Sequence, residues 1–166
     1  MIIRLATIHD CEELSILKQK MWNDTYRGIY SDSKIDNFDY AEHKKGFEKL
    51  VQSDKVQLFT ATENDEIVAY MSCGEIQRKF SNYTHEIGLL YVRKDFQHMG
   101  LGRMLFNLGK QELKKSNVKE FIISCNKYNL NAQKFYSKMG GTMISKNEDS
   151  NDKSASQIKF LYSIDD

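Results

Sequence analysis

The pattern of apolar and polar positions divides the chain into short strands and amphipathic helices. Residues 2–6 read as a short strand, and the segment after them repeats its apolar residues at helical spacing. Asp10 followed by Glu13 has the sequence of a capping box, which predicts that this helix begins at Asp10. A turn at Arg27 and Gly28 is expected to end it. The apolar face of the helix consists of Leu14, Leu17 and Met21.

The middle of the chain predicts two short helices followed by three strands. Residues 31–53 show a weak helical period and are expected to form helix in two pieces. Strand-like alternation follows at residues 56–61 and 67–73, and the turn residues at 64–65 between them predict a hairpin. The apolar segment 86–92, which has polar flanks, is typical of a central strand.

The C-terminal part of the chain predicts two helices and three strands. The first helix begins at the turn that contains Gly100 and Gly102, and the second covers residues 129–139 and ends at the glycines that follow. The apolar face of the first helix consists of Leu101, Met104, Leu105 and Leu108, and that of the second consists of Ala132, Phe135, Tyr136 and Met139. The strands are expected at 121–125, 142–146 and 156–162, and residues 147–153 join the last two as an exposed loop.

The resulting order of elements is β-α-α-β-β-β-α-β-α-β-β. A chain of 166 residues has the ordinary size of one domain, so residues 1–166 are expected to form a single domain. The order predicts an α/β (α+β) fold in which a mixed central sheet is flanked by helices on both faces.

Composition and charge narrow the classes of function. The net charge of +1 lacks the basic excess of most nucleic-acid and membrane-surface binding proteins, so neither partner is expected. No signal-peptide pattern is visible, and no apolar run approaches the ~20 residues of a membrane span, which favours a cytoplasmic protein. The scattered cysteines, Cys11, Cys73 and Cys125, have neither disulfide nor zinc spacing, so no metal is expected.

The segment that joins the central strand to the next helix has the chemistry of an anion site. Gly100 and Gly102 lie at this junction, and glycine lets a backbone approach a ligand closely. A helix N-terminus presents unpaired N–H groups to a phosphate, and Arg103 adds a positive charge. The residues alone leave two alternatives open, a phosphate cradle or an ordinary turn before a helix. Neither a Walker loop nor a complete dinucleotide fingerprint is present.

Two motifs resemble those of the GNAT superfamily of N-acetyltransferases. Residues 97–102, Gln-x-x-Gly-x-Gly, are similar to the family's Gln/Arg-x-x-Gly-x-Gly/Ala motif, and the strand end at 90–92 resembles the Leu-Tyr-Val that precedes it. Residues 129–140 resemble the family's Asn-x-x-Ala-x-x-Phe-Tyr-x-x-x-Gly. The order of elements also resembles the family fold over nearly the whole chain. Two motifs in the expected order are more specific than either alone.

The resemblance implies a site for acetyl-CoA as cosubstrate. The backbone of residues 97–103 is expected to hold the CoA pyrophosphate, and the strand end at 90–92 is expected to pair with the pantetheine arm. A backbone N–H of that strand would polarise the thioester carbonyl, and Asn129 would contact the pantetheine. The expected cofactor-binding residues are Leu90, Tyr91, Val92, Gln97, His98, Met99, Gly100, Leu101, Gly102, Arg103, Asn129 and Tyr136.

The resemblance also implies catalytic roles for Tyr136 and Glu86. Tyr136 is expected near the CoA sulfur as general acid, since a thiol pKa of about 8.5 and a phenol pKa of about 10 permit this transfer. Without the motif, Tyr136 equally suits a core position. The acceptor amine must lose a proton, and Glu86 is expected to remove it, directly or through water. His85 is a second candidate, and only one of these strand neighbours can face the cleft.

The family builds its acceptor site partly from the segment between the first two helices. Trp22, Tyr26 and Tyr30 are therefore expected to contact the substrate, although helix-end packing explains Trp22 equally well. Three aspartates that follow suit either the attraction of a cationic amine such as a polyamine or a solvated helix face. They are Asp32, Asp36 and Asp39.

The sequence thus predicts an enzyme that transfers the acetyl group of acetyl-CoA to a primary amine of a small molecule or peptide by direct attack. An alternative from another class is a non-catalytic acyl-CoA-binding sensor module of the same fold. A third interpretation is a phosphate-binding α/β protein with a different role. Because homodimers are common in the family, a homodimer is a further expectation. The particular amine stays open, since fold does not fix function.

Overall fold

A seven-stranded sheet with helices on both faces forms the fold. The structure is a computed structural model, and it describes residues 1–164. The strands are β1 (Ile2–Leu5), β2 (Val56–Glu63), β3 (Glu66–Phe80), β4 (Tyr83–Val92), β5 (Glu120–Asn126), β6 (Thr142–Asn147) and β7 (Gln157–Ser163). The α-helices are α1 (Cys11–Tyr26), α2 (Asp32–Asp36), α3 (Tyr40–Val51), α4 (Leu101–Lys115) and α5 (Leu130–Lys138). The predicted mixed sheet with helices on both faces is confirmed.

The strands lie in the order β1-β2-β3-β4-β5-β7-β6. Neighbouring strands are antiparallel except for β4 and β5, which run parallel. The chain passes from β4 to β5 through α4, because parallel neighbours need a long crossover connection. The junction between β4 and β5 is therefore the place where the pairing pattern of the sheet changes.

Two apolar cores lie on opposite faces of the sheet. On one face, which we call the α4 side, α4 and α5 pack against the strands through residues such as Leu105 and Tyr136. On the other face, the α1 side, α1 and α3 pack against β2 and β3 through residues such as Leu14 and Phe47. Full burial of one such large apolar side chain contributes about 1.5–3 kcal/mol. The α1-side core contains no residue of β5, β6 or β7 among the described residues.

A β-bulge at Gly88 reverses the alternation of side chains along β4. The register pairs Cys73 of β3 with Ile87 but Ser72 with Leu89, so β4 holds one extra residue at this point. Glycine inside an apolar strand is a known sequence signal of a bulge. Beyond the bulge, β4 divides its side chains between the α1 side (Leu89 and Tyr91) and the α4 side (Leu90 and Val92).

The capping box predicted at the start of α1 is wrong. Asp10 precedes the helix, but its side chain does not cap the first turn. Its carboxylate instead accepts from the Thr7 N–H at 2.6 Å and from two Arg4 guanidinium nitrogens at 2.7 and 2.8 Å. Glu13 accepts from the N–H of Ile67 on β3 at 2.7 Å. Both carboxylates therefore join α1 to its surroundings rather than cap it.

The β3–β4 hairpin extends farther than the sequence predicts. The expected strands end at Cys73 and begin at Glu86, whereas β3 continues to Phe80 and β4 begins at Tyr83. This extension is largely exposed and lacks the apolar alternation of a buried strand, which explains why the pattern missed it. At its tip, the rings of Phe80 and Tyr83 stack with their centroids 6.0 Å apart.

The helices carry one apolar face each. In α4, Leu101 and Leu105 are buried as predicted, but Met104 is 54% exposed and lies outside the core. Glycine at position 109 lets α4 approach the sheet, since an added Cβ would lie 2.9 Å from the Ile87 side chain. Among the helices of residues 1–164, none has both the length and the apolar character that a membrane crossing requires.

Cysteines and other metal-binding side chains are dispersed in the fold. Cys11, Cys73 and Cys125 are free and buried. In the part of the chain that the structure describes, no group of three or more His, Cys, Asp or Glu side chains is placed to hold a metal ion.

Candidate active site

Helix α4 begins at a glycine that leaves its N-terminus without a side-chain cap. Gly100 has a φ of 90°, in the left-handed region that favours glycine. An added Cβ would meet open space, so conformation and not crowding selects glycine at this position. The first turn also contains no acidic residue. This helix end offers unpaired N–H groups and the positive end of the helix dipole, which fits a phosphate.

The loop before α4 turns its side chains outward. Gln97, His98 and Met99 are exposed, and His98 has a φ of 62°. The Nε2 of Gln97 donates to the carbonyl of Val92 at 2.9 Å, which ties the loop to the end of β4. Arg103 is exposed in the first turn of the helix. The cradle is therefore a backbone surface, and Arg103 supplies its nearby positive charge.

An opening lies between β4 and β5. Glu86 pairs with Ile122, and the described residues contain no other registered pair between these two strands. Both strands continue beyond it, β4 to Val92 and β5 to Asn126. Beyond the pair, the edge of β4 that faces β5 has backbone groups without a strand partner, and such groups can bond an extended ligand. Leu90 and the residues on either side of it lie along this edge.

Tyr136 is buried on the α4 side, with 6% of its surface exposed. Its ring packs against that of Phe160, and the Tyr162 hydroxyl donates to its backbone carbonyl at 2.8 Å. Within residues 1–164, the hydroxyl of Tyr136 itself makes no hydrogen bond. Burial raises the pKa of this phenol, and the neighbouring Cys125 and Tyr26 act in the same direction. A protonated, unpaired hydroxyl is suited to donating a proton.

Asn129 caps the helix that carries Tyr136. Its Oδ1 accepts from the Ala132 N–H at 3.1 Å, as the N-cap of α5. Its Nδ2 has no hydrogen-bond partner within residues 1–164 and is available to a ligand. Helix α5 also approaches α4, because an added Cβ at Gly102 would lie 3.5 Å from the Phe135 ring. The two motif segments are therefore in direct proximity.

Glu86 lies half-buried on the α1 side, next to the bulge. Its Oε1 accepts from the Gln77 N–H at 2.9 Å. Burial raises the pKa of this carboxyl, while the bond from Gln77 and the charge of Lys159 oppose the shift. The alternation of β4 places His85 on the opposite face, where its Nδ1 is 2.9 Å from the Thr84 hydroxyl. Of the two candidate bases, Glu86 shares the α1 side with the aromatic residues.

Trp22, Tyr26 and Tyr30 form an aromatic cluster at the end of α1. The rings of Tyr26 and Tyr30 stack at 4.4 Å, and Trp22 meets the Tyr30 ring edge-on at 5.0 Å. The Tyr26 hydroxyl lies 3.5 Å from that of Tyr91 on β4. The three predicted substrate residues are thus brought together and contact the strand that carries the predicted cofactor edge.

Helix α2 connects this cluster to the segment between β6 and β7. The Nζ of Lys34 lies 4.5 Å from the centroid of the Tyr30 ring and donates to the Ser154 hydroxyl at 3.1 Å. The side-chain amide of Asn126 donates to the Lys153 carbonyl at 2.9 Å. Burial raises the pKa of Tyr30. The contact between Lys34 and Ser154 therefore joins α2 to the segment between β6 and β7.

The aspartates of this region are occupied locally. Asp32 and Asp36 form salt bridges with Arg27 at 3.1 and 2.8 Å. Asp39 caps α3 by accepting from the Glu42 N–H at 2.9 Å. All three are exposed. The geometry favours the solvated helix face over a binding surface for a cationic amine.

Lys159 is a half-buried cation on the α1 side that the sequence analysis did not single out. It lies opposite Ser124 in the β5–β7 register, and its Nζ donates to the Ser124 hydroxyl at 2.7 Å. The Nζ also lies 4.9 Å from the centroid of the Phe80 ring, at the tip of the long hairpin. Burial lowers the pKa of Lys159, and the charge of Glu86 opposes this shift.

The two faces of the sheet therefore contribute different parts of one arrangement. The α4 side contributes the uncapped helix end and Tyr136, and the α1 side contributes Glu86, Lys159 and the aromatic cluster. The opening between β4 and β5 lies between them. An extended ligand anchored by phosphate at α4 can follow β4 into this opening and meet a second molecule held on the α1 side.

This arrangement is that of an acyl-CoA-dependent transferase, and the sequence comparison agrees. A sequence model of the acetyltransferase (GNAT) family matches residues 19–141. The chain belongs to this family and is an acetyl-CoA-dependent N-acetyltransferase.

Individual proteins are similar to the chain in sequence or in fold. The chain is 28% identical over 144 residues to a spermidine N(1)-acetyltransferase of Thermoplasma acidophilum, covering 83% of this chain and 86% of the relative. The fold is similar to the PaiA N-acetyltransferase of Thermoplasma acidophilum in complex with coenzyme A, with a TM-score of 0.77 and 21% identity over 98% of this chain and 100% of the other. It is also similar to the ribosomal-protein-S18-alanine N-acetyltransferase of Escherichia coli, with a TM-score of 0.72 and 17% identity over 99% and 94% of the two chains.

Proposed function

We propose that the protein acetylates a primary amine of a small molecule or peptide by direct attack, with Tyr136 as general acid. The observation that carries this proposal is the position of Tyr136, a buried residue near Cys125 of β5 whose hydroxyl has no hydrogen-bond partner within residues 1–164. A phenol in such a position is protonated and can donate a hydrogen bond to an anion that forms beside it. A thiolate leaving a thioester is such an anion, and exclusion of water strengthens this bond and raises the basicity of the sulfur, which favours transfer of the proton.

The backbone groups suit the binding of acetyl-CoA. The N–H groups from Gln97 to Arg103 would hold the pyrophosphate, and the edge of β4 at residues 90–92 would hold the pantetheine arm. An N–H on this edge would polarise the thioester carbonyl. Acetyl-CoA supplies the activated acetyl group when bound. The fit rests on the left-handed Gly100, the missing side-chain cap and the absence of acidic residues from the first turn of α4.

The proton transfers balance with two groups of the chain. Glu86 receives, directly or through water, the proton that the amine loses as its nitrogen bonds the carbonyl carbon. Tyr136 donates a proton to the thiolate as the bond between that carbon and sulfur breaks, and solvent restores its proton. The raised pKa of Glu86 makes its carboxylate a stronger base than an ordinary surface glutamate.

The acceptor would bind on the α1 side, against Trp22, Tyr26 and Tyr30. Spermidine is the first acceptor to test, since the relative of 28% identity is a spermidine N(1)-acetyltransferase. Aromatic rings suit an amine because a cation over a ring face gains about 0.5–2 kcal/mol.

Thiol release from acetyl-CoA with a panel of amines tests the proposal. The panel should contain spermidine, diamines, amino acids and peptide N-termini, and thermal unfolding should measure acetyl-CoA binding in parallel. Acetyl-CoA at ~100 times its Kd adds about 2.7 kcal/mol of stability. Amine-dependent thiol release that Tyr136→Phe lowers is expected. A shift in Tm without thiol release from any amine would contradict the proposal and favour a sensor module.

A further inference from the structure

We propose that Lys159 binds a carboxylate of the acceptor, so that the substrate is a small amine that also carries a carboxylate. This inference rests on the proposed function and specifies its substrate class. The basis of the inference is the surroundings of the Lys159 side chain, which has no role in the proposed binding of acetyl-CoA.

Within residues 1–164, Lys159 is a cation without a salt-bridge partner. It is half-buried, and no carboxylate of residues 1–164 lies within salt-bridge distance of its Nζ. One N–H bonds the Ser124 hydroxyl at 2.7 Å, and the Phe80 ring covers the amine at 4.9 Å. An ammonium carries three N–H donors, so two remain for a ligand. Partly buried charges in proteins are normally paired, which makes the missing anion informative.

The fold holds this unpaired cation in place. The Ser124 hydroxyl fixes the amine from β5, and the tip of the long β3–β4 hairpin brings Phe80 against it from the other direction. A freely solvated lysine would instead extend into water and pay no desolvation cost. The lowered pKa of Lys159, caused by burial, agrees with a cation removed from part of its water.

Glu86 and Lys159 together present opposite charges on the same face of the sheet. Glu86 pairs with Ile122 of β5, whereas Lys159 pairs with Ser124 through the other edge of that strand. The two charges lie beyond salt-bridge distance but close enough for each to shift the pKa of the other. An acceptor with its amine toward Glu86 and its carboxylate toward Lys159 would match both charges.

A polycation suits the surroundings of Lys159 less well. Arg78 adds a second positive charge near Lys159, so the surroundings of the amine repel further cations. The aspartates that could offset this are bonded to Arg27 or cap α3. We therefore expect a different preference from that of the spermidine-acetylating relative.

Matched acceptor pairs that differ by one carboxylate test the inference. Lysine and 1,5-diaminopentane share their chain and terminal amine, and alanine and ethylamine form a pair for the α-amine. Lysine amide keeps the carbonyl group of lysine but lacks the negative charge, so it controls for the charge of the carboxylate. We expect the carboxylate-bearing member of at least one pair to have a kcat/KM at least about tenfold higher, as a charged hydrogen bond implies. No preference in either pair, or a preference for the amines, would overturn the inference.

Variants separate Lys159 from other causes of such a preference. Lys159→Met keeps the apolar stem and should lower the preference about tenfold or more, while Lys159→Arg should retain most of it. Ser124→Ala should lower it less, because the amine keeps its charge but loses its anchor. An unchanged preference in Lys159→Met would overturn the inference. Each variant should first show the wild-type rise in Tm with acetyl-CoA, which verifies its fold and cofactor site.

Direct binding distinguishes this inference from the proposed function. The Tm of protein saturated with CoA should rise with the preferred amino acid and not with its amine counterpart, and Lys159→Met should abolish the rise. Such binding without thiol release would contradict the proposed acetyl transfer and support the carboxylate site at Lys159. Thiol release with equal preference within the acceptor pairs would support the acetyl transfer and contradict the carboxylate site.

Discussion

The hydroxyl of Tyr162 donates to the backbone carbonyl of Tyr136 at 2.8 Å, inside the core of the α4 side. The same carbonyl accepts from the Gly141 N–H at 3.1 Å, and an added Cβ at Gly141 would lie 2.6 Å from the Tyr162 oxygen. The end of α5 is therefore held by bonds that do not involve the Tyr136 hydroxyl. Removing that hydroxyl should leave the ring in place.

Tyr136→Phe should lower kcat by about 10²–10⁴, the usual contribution of a general acid, with little effect on acetyl-CoA binding. Tyr162→Phe is a matched control, because it removes a buried hydrogen bond and should cost about 1 kcal/mol of stability. Steady-state kinetics and thermal unfolding of both variants provide the measurement. Equal kcat for wild type and Tyr136→Phe would remove Tyr136 from the acid role.

Gly100→Asp should abolish acetyl-CoA binding, because it places a negative charge where the helix end is expected to receive phosphate. Gly140→Asp is its control: Gly140 also has a φ of 90° and open space around a Cβ, but it lies after α5. Both variants incur the same backbone strain. Only Gly140→Asp should keep the Tm rise of roughly 5–10 °C with acetyl-CoA. Binding retained by Gly100→Asp would show that the phosphate lies elsewhere.

Glu86→Gln should remove the acidic limb from the pH profile of kcat/KM. In the wild type, the rate should rise with pH as Glu86 ionises, and burial moves this limb above the ordinary glutamate pKa of about 4.3. The glutamine variant has no proton to lose, so its remaining activity should depend only on ionisation of the amine. The pH profiles of both proteins, measured with one acceptor at fixed ionic strength, test whether Glu86 is the base. Superimposable profiles would assign the base to water or to another group.

Asp10→Asn should destabilise the fold in a pH-dependent manner. The bonds from Arg4 lower the pKa of Asp10 to about 2, below the unfolded value of about 3.9. The contribution of the carboxylate is therefore complete above pH ~4 and is lost as pH falls toward 2. We expect a loss of about 1–2 kcal/mol at neutral pH that shrinks on acidification. Urea unfolding of the wild type and the variant between pH 2 and 7 measures this loss. A difference in the free energy of unfolding that does not depend on pH would contradict a stabilising ion pair between Arg4 and Asp10.

Local spacing predicted those parts of the fold in which burial follows from periodicity. Leu14, Leu17 and Met21 are buried on one face of α1, as their spacing indicates. Prediction failed where the partner of a residue comes from another element. Glu13 has the spacing of a capping residue, but a sheet N–H at Ile67 lies within its reach and takes the bond. Sequence spacing contains no information on that competition.

In the candidate site too, contiguous motifs could be predicted, whereas contacts between distant elements could not. The Gly100 turn and the cap at Asn129 belong to contiguous motifs, so the sequence could indicate both. Lys159 could not be found from the chain alone. Its position matters because Ser124 of β5 and Phe80 of a distant hairpin converge on its amine. That hairpin extension was itself missing from the prediction, since its exposed residues carry no apolar period.

The bulge at Gly88 makes β4 sensitive to its length as well as to its composition. Ile87 and Leu90 face the same side of the sheet only because Gly88 adds one position between them. Loss of this glycine would invert every later residue of the strand. The Tyr91 ring would turn away from Tyr26 and toward α4. A deletion of one residue in this strand would therefore disrupt the site more than most single substitutions, because it moves each later side chain to the opposite face of the sheet.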